Sequence, residues 1–273
     1  EDLWPEAMEM ALNKLPGKSI LFYPLKRDAE KIYKYASAVI GTSDEYTSRA
    51  YKNNGRTEML RKTLYVGSDL KMFDKGVHDN IEQIEKKENE FWAIYAGSIG
   101  NTYDIENLIY AAKIIQNQGK KDIKIKILGQ GVLKDDLEKL AAGLQCNNVD
   151  FLGYQPYEMM SAYLVKSDVA LNMFAKGAPQ SIVNKVGDYF ASGKPVINTL
   201  ESNEFMNMIS SYKVGKNVEP GNPEKLAEAI IEYFDNADKC FKEGNNSRKL
   251  AEMKFDRNTS YQIISEVIEA VCE

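Results

Sequence analysis

The chain has 273 residues, a hydrophobic fraction of 44% and a charged fraction of 27%, which are ordinary values for a globular protein of about two domains. Its formal net charge of −5 and the lack of a basic face exclude a typical nucleic-acid binder. No apolar run approaches the roughly 20 residues needed to cross a bilayer. The three cysteines are far apart and the single histidine, His78, lies in a charged stretch. We therefore expect neither a disulfide framework nor a zinc site.

Residues 1–80 show an incomplete α/β pattern, too short for a whole domain, so they are expected to be the tail of one. The predicted elements are helices at 6–15, 27–36 and 44–53 and strands at 38–42 and 62–67. The segment 81–90 is dense in charge and is the expected domain boundary. A last amphipathic stripe at 259–271 predicts a helix that must pack on something.

Between about residues 90 and 235, short apolar runs alternate with helical patterns. The predicted strands are 91–96, 123–128, 149–152, 169–172 and 195–198, with a last short one near 213–218. This alternation predicts right-handed βαβ units and an open parallel sheet with helices on both faces. Ligands bind such sheets at the carboxyl ends of the strands. Loops rich in Gly or small polar residues fall there, at 97–102, 129–131, 153–155 and 175–185.

The segment from Gln180 to Val196 carries the most information about function. It predicts a polar loop, a short helix and a Gly-Lys-Pro turn into a buried strand. A helix start offers backbone N–H groups and a positive dipole end, both suited to phosphate, and Lys185 adds a full positive charge. Asp188, one helical turn further on, could accept hydrogen bonds from sugar hydroxyls. Together they indicate a site for a nucleoside diphosphate sugar.

Four motifs resemble a known family. They are Tyr95-Ala-Gly-Ser-Ile-Gly100, Leu128-Gly-Gln-Gly-Val132, Phe151-Leu-Gly153 and the more specific Asn184-Lys-Val-Gly-Asp-Tyr-Phe-Ala-Ser-Gly-Lys-Pro-Val196. On these residues the chain resembles the retaining glycosyltransferases of the GT-B group, family 4, in particular bacterial members that build surface polysaccharides. The resemblance covers nearly the whole chain.

The resemblance implies a division of the chain. Residues 1–80 would be the C-terminal part of an acceptor-side Rossmann-like domain that lacks most of its N-terminal portion, and 81–90 would be a linker. Residues 91–255 would be the Rossmann-like domain that binds the donor, and 256–273 a helix that crosses back to the first domain. Any catalytic group of the first domain would then lie upstream, so this chain alone is expected to bind donor and turn over poorly.

The resemblance also implies a reaction, the transfer of a sugar from a nucleoside diphosphate sugar, with a UDP-sugar favoured, to a hydroxyl of a glycan or lipid-linked acceptor. It implies a cytoplasmic enzyme that acts at the inner face of the membrane, with peripheral association through the missing part of the first domain. No cofactor is expected. Neither is a metal, since the chain lacks an Asp-x-Asp motif.

The expected donor-binding residues lie in the loops at the carboxyl ends of the strands and in the 180–188 segment, and no catalytic residue is assigned. They are Gly97, Ser98, Gly100, Gly129, Gly153, Tyr154, Gln180, Ser181, Ile182, Lys185 and Asp188. Two departures from the family pattern occur. Gln180 and Asp188 stand where the family has two glutamates, and Ser98 and Tyr103 or Asp104 stand where it often has Arg and Lys. Lys185 is then the remaining cation for the phosphates.

Simpler interpretations remain open at each position. Ordinary turns would explain the glycines, and a surface ion pair would explain Lys185 with Asp188. Two other functions also remain. One is a nucleotide-binding module without transfer activity, which the uncharged Gln180 favours. The other is a sugar-nucleotide epimerase of the same fold.

Overall fold

The computed structural model describes residues 20–52, 60–178 and 180–272. The helix predicted at 6–15 lies outside the described residues. The chain divides into two compact units, one of Glu1–Val66 with Asn258–Glu273 and the other of Gly67–Arg257.

The larger unit contains six strands, connected mostly through helices. The strands are β3 (Phe91–Ala96), β4 (Ile123–Leu128), β5 (Val149–Gly153), β6 (Val169–Asn172), β7 (Val196–Asn198) and β8 (Gly215–Asn217). The helices are α3 (Leu70–Asn80), α4 (Ile105–Asn117), α5 (Lys134–Gly143), α6 (Tyr157–Lys166), α7 (Lys185–Ala191), α8 (Asn203–Tyr212), α9 (Pro223–Asp235) and α10 (Ala237–Lys254). Asn222 caps α9, because its side chain accepts the N–H of Lys225 at 3.0 Å.

The six strands form one parallel sheet in the order β5-β4-β3-β6-β7-β8. From β3, the strands β4 and β5 are added in one direction across the sheet. The chain then returns to the middle, and from β6 the strands β7 and β8 are added in the opposite direction. The strand order reverses between β3 and β6, which pair through Ala93 with Val169 and Ile94 with Ala170. This is the doubly wound arrangement, and its crevice for ligands lies outside the carboxyl ends of these two strands. The predicted α/β fold is confirmed.

Both faces of the sheet are covered by helices, as the near-continuous apolar strands require. Tyr95 on β3 packs in the main core with Leu108 of α4 and Ile230 of α9. Trp92 points to the opposite face, where it packs with Ala162 of α6. Each strand therefore presents alternate side chains to two helical layers.

The smaller unit holds α1 (Tyr23–Tyr35), β1 (Ala38–Gly41), α2 (Asp44–Lys52) and β2 (Leu60–Thr63), with β1 and β2 parallel. The last helix, α11 (Arg257–Cys272), contributes Ser260, whose hydroxyl donates to the carbonyl of Tyr65 at 3.3 Å. The assignment of this unit to an acceptor-side domain stays a prediction.

The expected boundary at residues 81–90 requires correction. The larger unit already begins at Gly67, because α3 packs along α6 and Ile84 is buried against Trp92. The charged segment 81–90 therefore lies inside this unit as the connection from α3 to β3. Its charges are accommodated at the surface and in local pairs, such as Lys86 with Asp168.

Candidate functional site

Three loops at the carboxyl ends of β3, β4 and β5 lie side by side. The N–H of Gly97 donates to the carbonyl of Leu128 at 3.0 Å, and the N–H of Gly129 donates to the carbonyl of Gly153 at 2.8 Å. These bonds extend the parallel ladder beyond the strands and hold the loops as one surface. The close approach depends on Gly129, which has φ of 140° and where a Cβ would overlap the carbonyl oxygen of Gly97.

A cleft of about 310 Å³ opens on this surface. It is lined by Ala96, Gly97, Ser98, Leu128, Gly129, Gln130, Tyr154, Gln155 and Met160. Four of the predicted donor residues are therefore brought together here: Gly97, Ser98, Gly129 and Tyr154. Gly153 borders the cleft through its bond to Gly129. Gly100 does not line it, and its carbonyl accepts the N–H of Tyr103 in a tight turn.

Lys185 lies beside the first of these loops, and its amine is not in solvent. A methyl group placed on Gly97 would lie 3.3 Å from Nζ of Lys185. Nζ is buried and has no hydrogen-bond partner among the described residues. It lies 4.4 Å from the ring centre of Tyr95, 4.5 Å from that of Tyr103 and 5.0 Å from that of Phe174. Burial lowers the pKa of Lys185 to about 7.

The segment just before α7 contains further polar atoms without partners. Five buried side-chain polar atoms lack a hydrogen bond in the part of the chain that the structure describes. Three of the five fall within 180–185: Oε1 of Gln180, Oγ of Ser181 and Nζ of Lys185. Buried polar groups in proteins are normally satisfied, so this concentration marks a place where a polar ligand is expected. The side chain of Ile182 is half-buried and apolar, and it adds no polar group.

The start of α7 offers fewer free backbone donors than the sequence argument assumed. This helix has only seven residues. The N–H groups of Val186 and Gly187 donate to the carbonyls of Val183 and Asn184, both at 3.2 Å. Tight local turns therefore use the donors that the sequence argument assigned to phosphate. The positive contribution of this segment comes from the Lys185 side chain.

Asp188 has protein partners that the sequence did not predict. Its Oδ1 accepts hydrogen bonds from the hydroxyls of Ser68 at 2.6 Å and Tyr157 at 2.8 Å. Burial raises the pKa of the Asp188 carboxyl, and the two hydroxyls and Arg257 oppose that rise. Both bonds end on Oδ1, which leaves Oδ2 for a ligand. The expected surface ion pair with Lys185 does not form, since Nζ turns toward the rings instead.

Sequence reasoning missed the three rings around Lys185, because these residues are scattered along the chain and share no motif. Their common feature is their position: Tyr95 is at the end of β3, and Tyr103 and Phe174 lie in the loops that follow β3 and β6. The strand order is needed to see that these places are neighbours. Tyr189 is buried, and its hydroxyl donates to the carbonyl of Ala96 at 2.9 Å.

A wider hollow of about 770 Å³ lies elsewhere on the larger unit, between α3, the end of α7 and α10. Its principal cation, Arg248, already donates to both carboxylate oxygens of Asp74, at 2.6 and 2.7 Å, and to Glu252 at 2.8 Å. A site for an anion needs a cation that is not already paired. We therefore place the candidate site at the smaller cleft beside Lys185.

Comparison with known proteins decides the family. Residues 77–250 match the family described as glycosyl transferases group 1. The chain belongs to this family. It is 28% identical over 242 residues to a probable glycosyltransferase, WbjE, of Pseudomonas aeruginosa, covering 86% of this chain and 58% of that protein. It is 27% identical over 189 residues to a putative colanic acid biosynthesis glycosyl transferase, WcaI, of Escherichia coli K12, covering 68% of this chain and 45% of that protein.

The group 1 fold is also found in solved structures. The structure of Anabaena Alr3699/HepE in complex with UDP superposes with a TM-score of 0.76 at 19% identity, covering 97% of this chain and 75% of that one. The structure of its complex with UDP-glucose gives a TM-score of 0.72 at 20% identity, covering 90% of this chain and 67% of that one. The chain thus has the GT-B glycosyltransferase fold, although it spans only about half the length of the curated relatives above.

Two other kinds of feature do not occur in residues 20–52, 60–178 and 180–272. None of the helices there combines the length and apolar character that a bilayer crossing requires. No group of three or more His, Cys, Asp or Glu residues is gathered there in a way that could hold a metal ion. The expectation of metal-independent chemistry stays a prediction.

Proposed function

We propose that the chain binds a nucleoside diphosphate sugar, with a UDP-sugar favoured, for transfer of the sugar to a hydroxyl acceptor. The observation that carries this proposal is the unpartnered amine of Lys185 beside Gly97, at the point where the strand order reverses. A buried cation with no anion of its own is suited to a ligand that brings negative charge. The Alr3699/HepE complexes with UDP and UDP-glucose support this donor class.

The donor would lie across the three loops. We place its diphosphate between the 97–102 loop and the 180–185 segment, where Lys185 and the unpartnered Gln180 and Ser181 oxygens lie. The base would face the cleft near Gly153 and Tyr154, because backbone groups and an exposed ring are available there. Oδ2 of Asp188 would accept hydrogen bonds from the ribose.

The chemical contribution of this site would be to stabilise the leaving group. When the bond from the sugar to the diphosphate breaks, negative charge grows on the phosphate oxygens. A lysine held beside them lowers the energy of that charge without a metal ion. We propose transfer with retention of anomeric configuration, as the resemblance implies.

The biological setting is part of the proposal. The similarity to a putative colanic acid biosynthesis enzyme favours a role in bacterial surface polysaccharide synthesis. The acceptor would be a glycan or lipid-linked hydroxyl. We propose that the protein acts in the cytoplasm, at the inner face of the membrane.

Binding and turnover are tested separately. The 273-residue chain is screened by thermal shift against UDP, ADP, GDP and dTDP and their sugars, since a ligand that binds the native state raises its melting temperature. Lys185→Met should weaken binding by about 1–3 kcal/mol, as for loss of a charge-assisted hydrogen bond. Failure of every nucleotide to bind would overturn the proposal.

Product analysis after incubation with a sugar nucleotide and acceptor then distinguishes the alternatives. A transferase releases free nucleoside diphosphate from its sugar nucleotide in the presence of acceptor. An epimerase instead yields an isomeric sugar nucleotide. A binding module, which the uncharged Gln180 favours, gives neither product.

A further inference from the structure

Lys185 is held by three aromatic rings that nothing in its local sequence predicts. We propose that Tyr95, Tyr103 and Phe174, here called the ring box, are positioning residues that hold the Lys185 amine beside the 97–100 loop for the donor diphosphate. This inference rests on the proposed function, because it assigns a purpose to the box within that donor site.

The rings are themselves fixed in place. The hydroxyl of Tyr95 donates to the carbonyl of Ser98 at 2.6 Å, which ties the ring to the glycine loop. Tyr103 packs against both other rings, with centroids 6.1 Å from Tyr95 and 5.1 Å from Phe174. The N–H of Phe174 donates to Oγ1 of Thr199 at 2.7 Å. Rings anchored in this way hold the amine in one position. Little further conformational entropy is then lost when a ligand binds.

A second buried lysine shows what distinguishes Lys185. Nζ of Lys126 lies 4.1 Å from the ring centre of Trp92, so it also contacts an aromatic face. Its charge, however, is paired with a carboxylate oxygen of Asp150 at 2.6 Å. Lys126 is therefore a satisfied structural lysine. Lys185 has ring contacts and no such carboxylate among the described residues, so its anion must come from elsewhere.

The groups that face Nζ explain its expected response to a ligand. They are the phenols of Tyr95 and Tyr103 and the ring of Phe174, from β3 and the loops after β3 and β6. Burial accounts for the lowered pKa of about 7, with no described carboxylate opposing it. A diphosphate beside the amine would favour the charged form and raise the pKa. At pH 8 nucleotide binding should therefore take up protons.

The test is a double-mutant cycle measured by calorimetry of UDP binding at pH 8. Lys185→Met should weaken UDP binding by about 10-fold to 100-fold. Tyr103→Leu should weaken it by about 3-fold to 10-fold, because it removes one ring contact to the amine. Tyr103→Phe keeps the ring, so its UDP affinity should stay within about twofold of that of the wild type. In the Lys185→Met background, Tyr103→Leu should have no further effect.

Proton uptake and a matched control complete the test. Titrations in Hepes and Tris, which differ in ionisation enthalpy, should show uptake for the wild type and none for Lys185→Met. Lys126→Met removes a buried lysine that contacts a ring outside the candidate site, and it should leave UDP affinity unchanged. If the effects of Lys185→Met and Tyr103→Leu on UDP affinity are additive, Tyr103 does not act through Lys185 and the proposed role of the ring box is overturned. If UDP, ADP, GDP and dTDP all fail to bind the wild type, the donor site itself is overturned.

Discussion

The buried amine of Lys185 should make the stability of the free protein depend on pH, and Lys185→Met tests this. Burial lowers the pKa of this amine from its ordinary 10.5 to about 7. Above pH 7 the folded protein has lost a proton that the unfolded chain keeps until about pH 10.5. Stability therefore rises with pH in this window, because the unfolded state binds more protons.

The size of the effect follows from the two pKa values. From these two values, burying the amine lowers the free energy of unfolding by roughly 4 kcal/mol at pH 7 and by roughly 2 kcal/mol at pH 9. Methionine fills similar space and cannot be protonated, so Lys185→Met should be more stable than the wild type at pH 7. Its advantage should shrink by about 2 kcal/mol at pH 9.

The assay is urea unfolding of both proteins at pH 7 and pH 9, without nucleotide. The window stops at pH 9 because tyrosines of the unfolded chain begin to ionise near pH 10. Lys176→Met, at an exposed position in the loop after β6, is the matched control, and we expect it to change stability by no more than about 0.5 kcal/mol at either pH. An equal stability difference between wild type and Lys185→Met at both pH values would refute the argument, because the amine would then be solvated.

Three further predictions concern the loops, the helices and the ribose. Gly129→Ala should destabilise the protein by about 3 kcal/mol or more in urea unfolding, because its Cβ would overlap the carbonyl of Gly97; a loss below about 1 kcal/mol would show that the loops separate easily. Arg248→Met should cost about 1 kcal/mol through its bidentate pair with Asp74, less at high salt, and an effect that does not depend on salt would contradict the pairing argument. Asp188→Asn should bind a nucleoside diphosphate and its 2′,3′-dideoxy analogue with more similar affinities than the wild type does; if the mutant discriminates as strongly, Asp188 is not the ribose ligand.

The sequence by itself determined the class of fold and indicated several of the loop residues that line the cleft. The apolar run 91–96 buries both faces of a strand, and this is a local property of composition. The alternation with helical patterns then leaves a parallel sheet as the consistent arrangement. Loops that follow strands must gather at one edge of that sheet. For this reason the sequence alone indicates that Gly97, Ser98, Gly129 and Tyr154 lie at one edge of the sheet.

Only the tertiary structure decided which loops meet across the crevice and where the polar side chains point. The order of the strands sets β6 beside β3, and this brings Phe174 and Tyr103 around Lys185. One hydrogen-bond partner of Asp188 is Ser68, 120 positions earlier in the chain, a separation that no periodicity can reveal. A side chain at a helix start can turn outward to solvent or inward to a core. Local sequence leaves that choice open, and the neighbouring elements fix it through the space and partners that they offer.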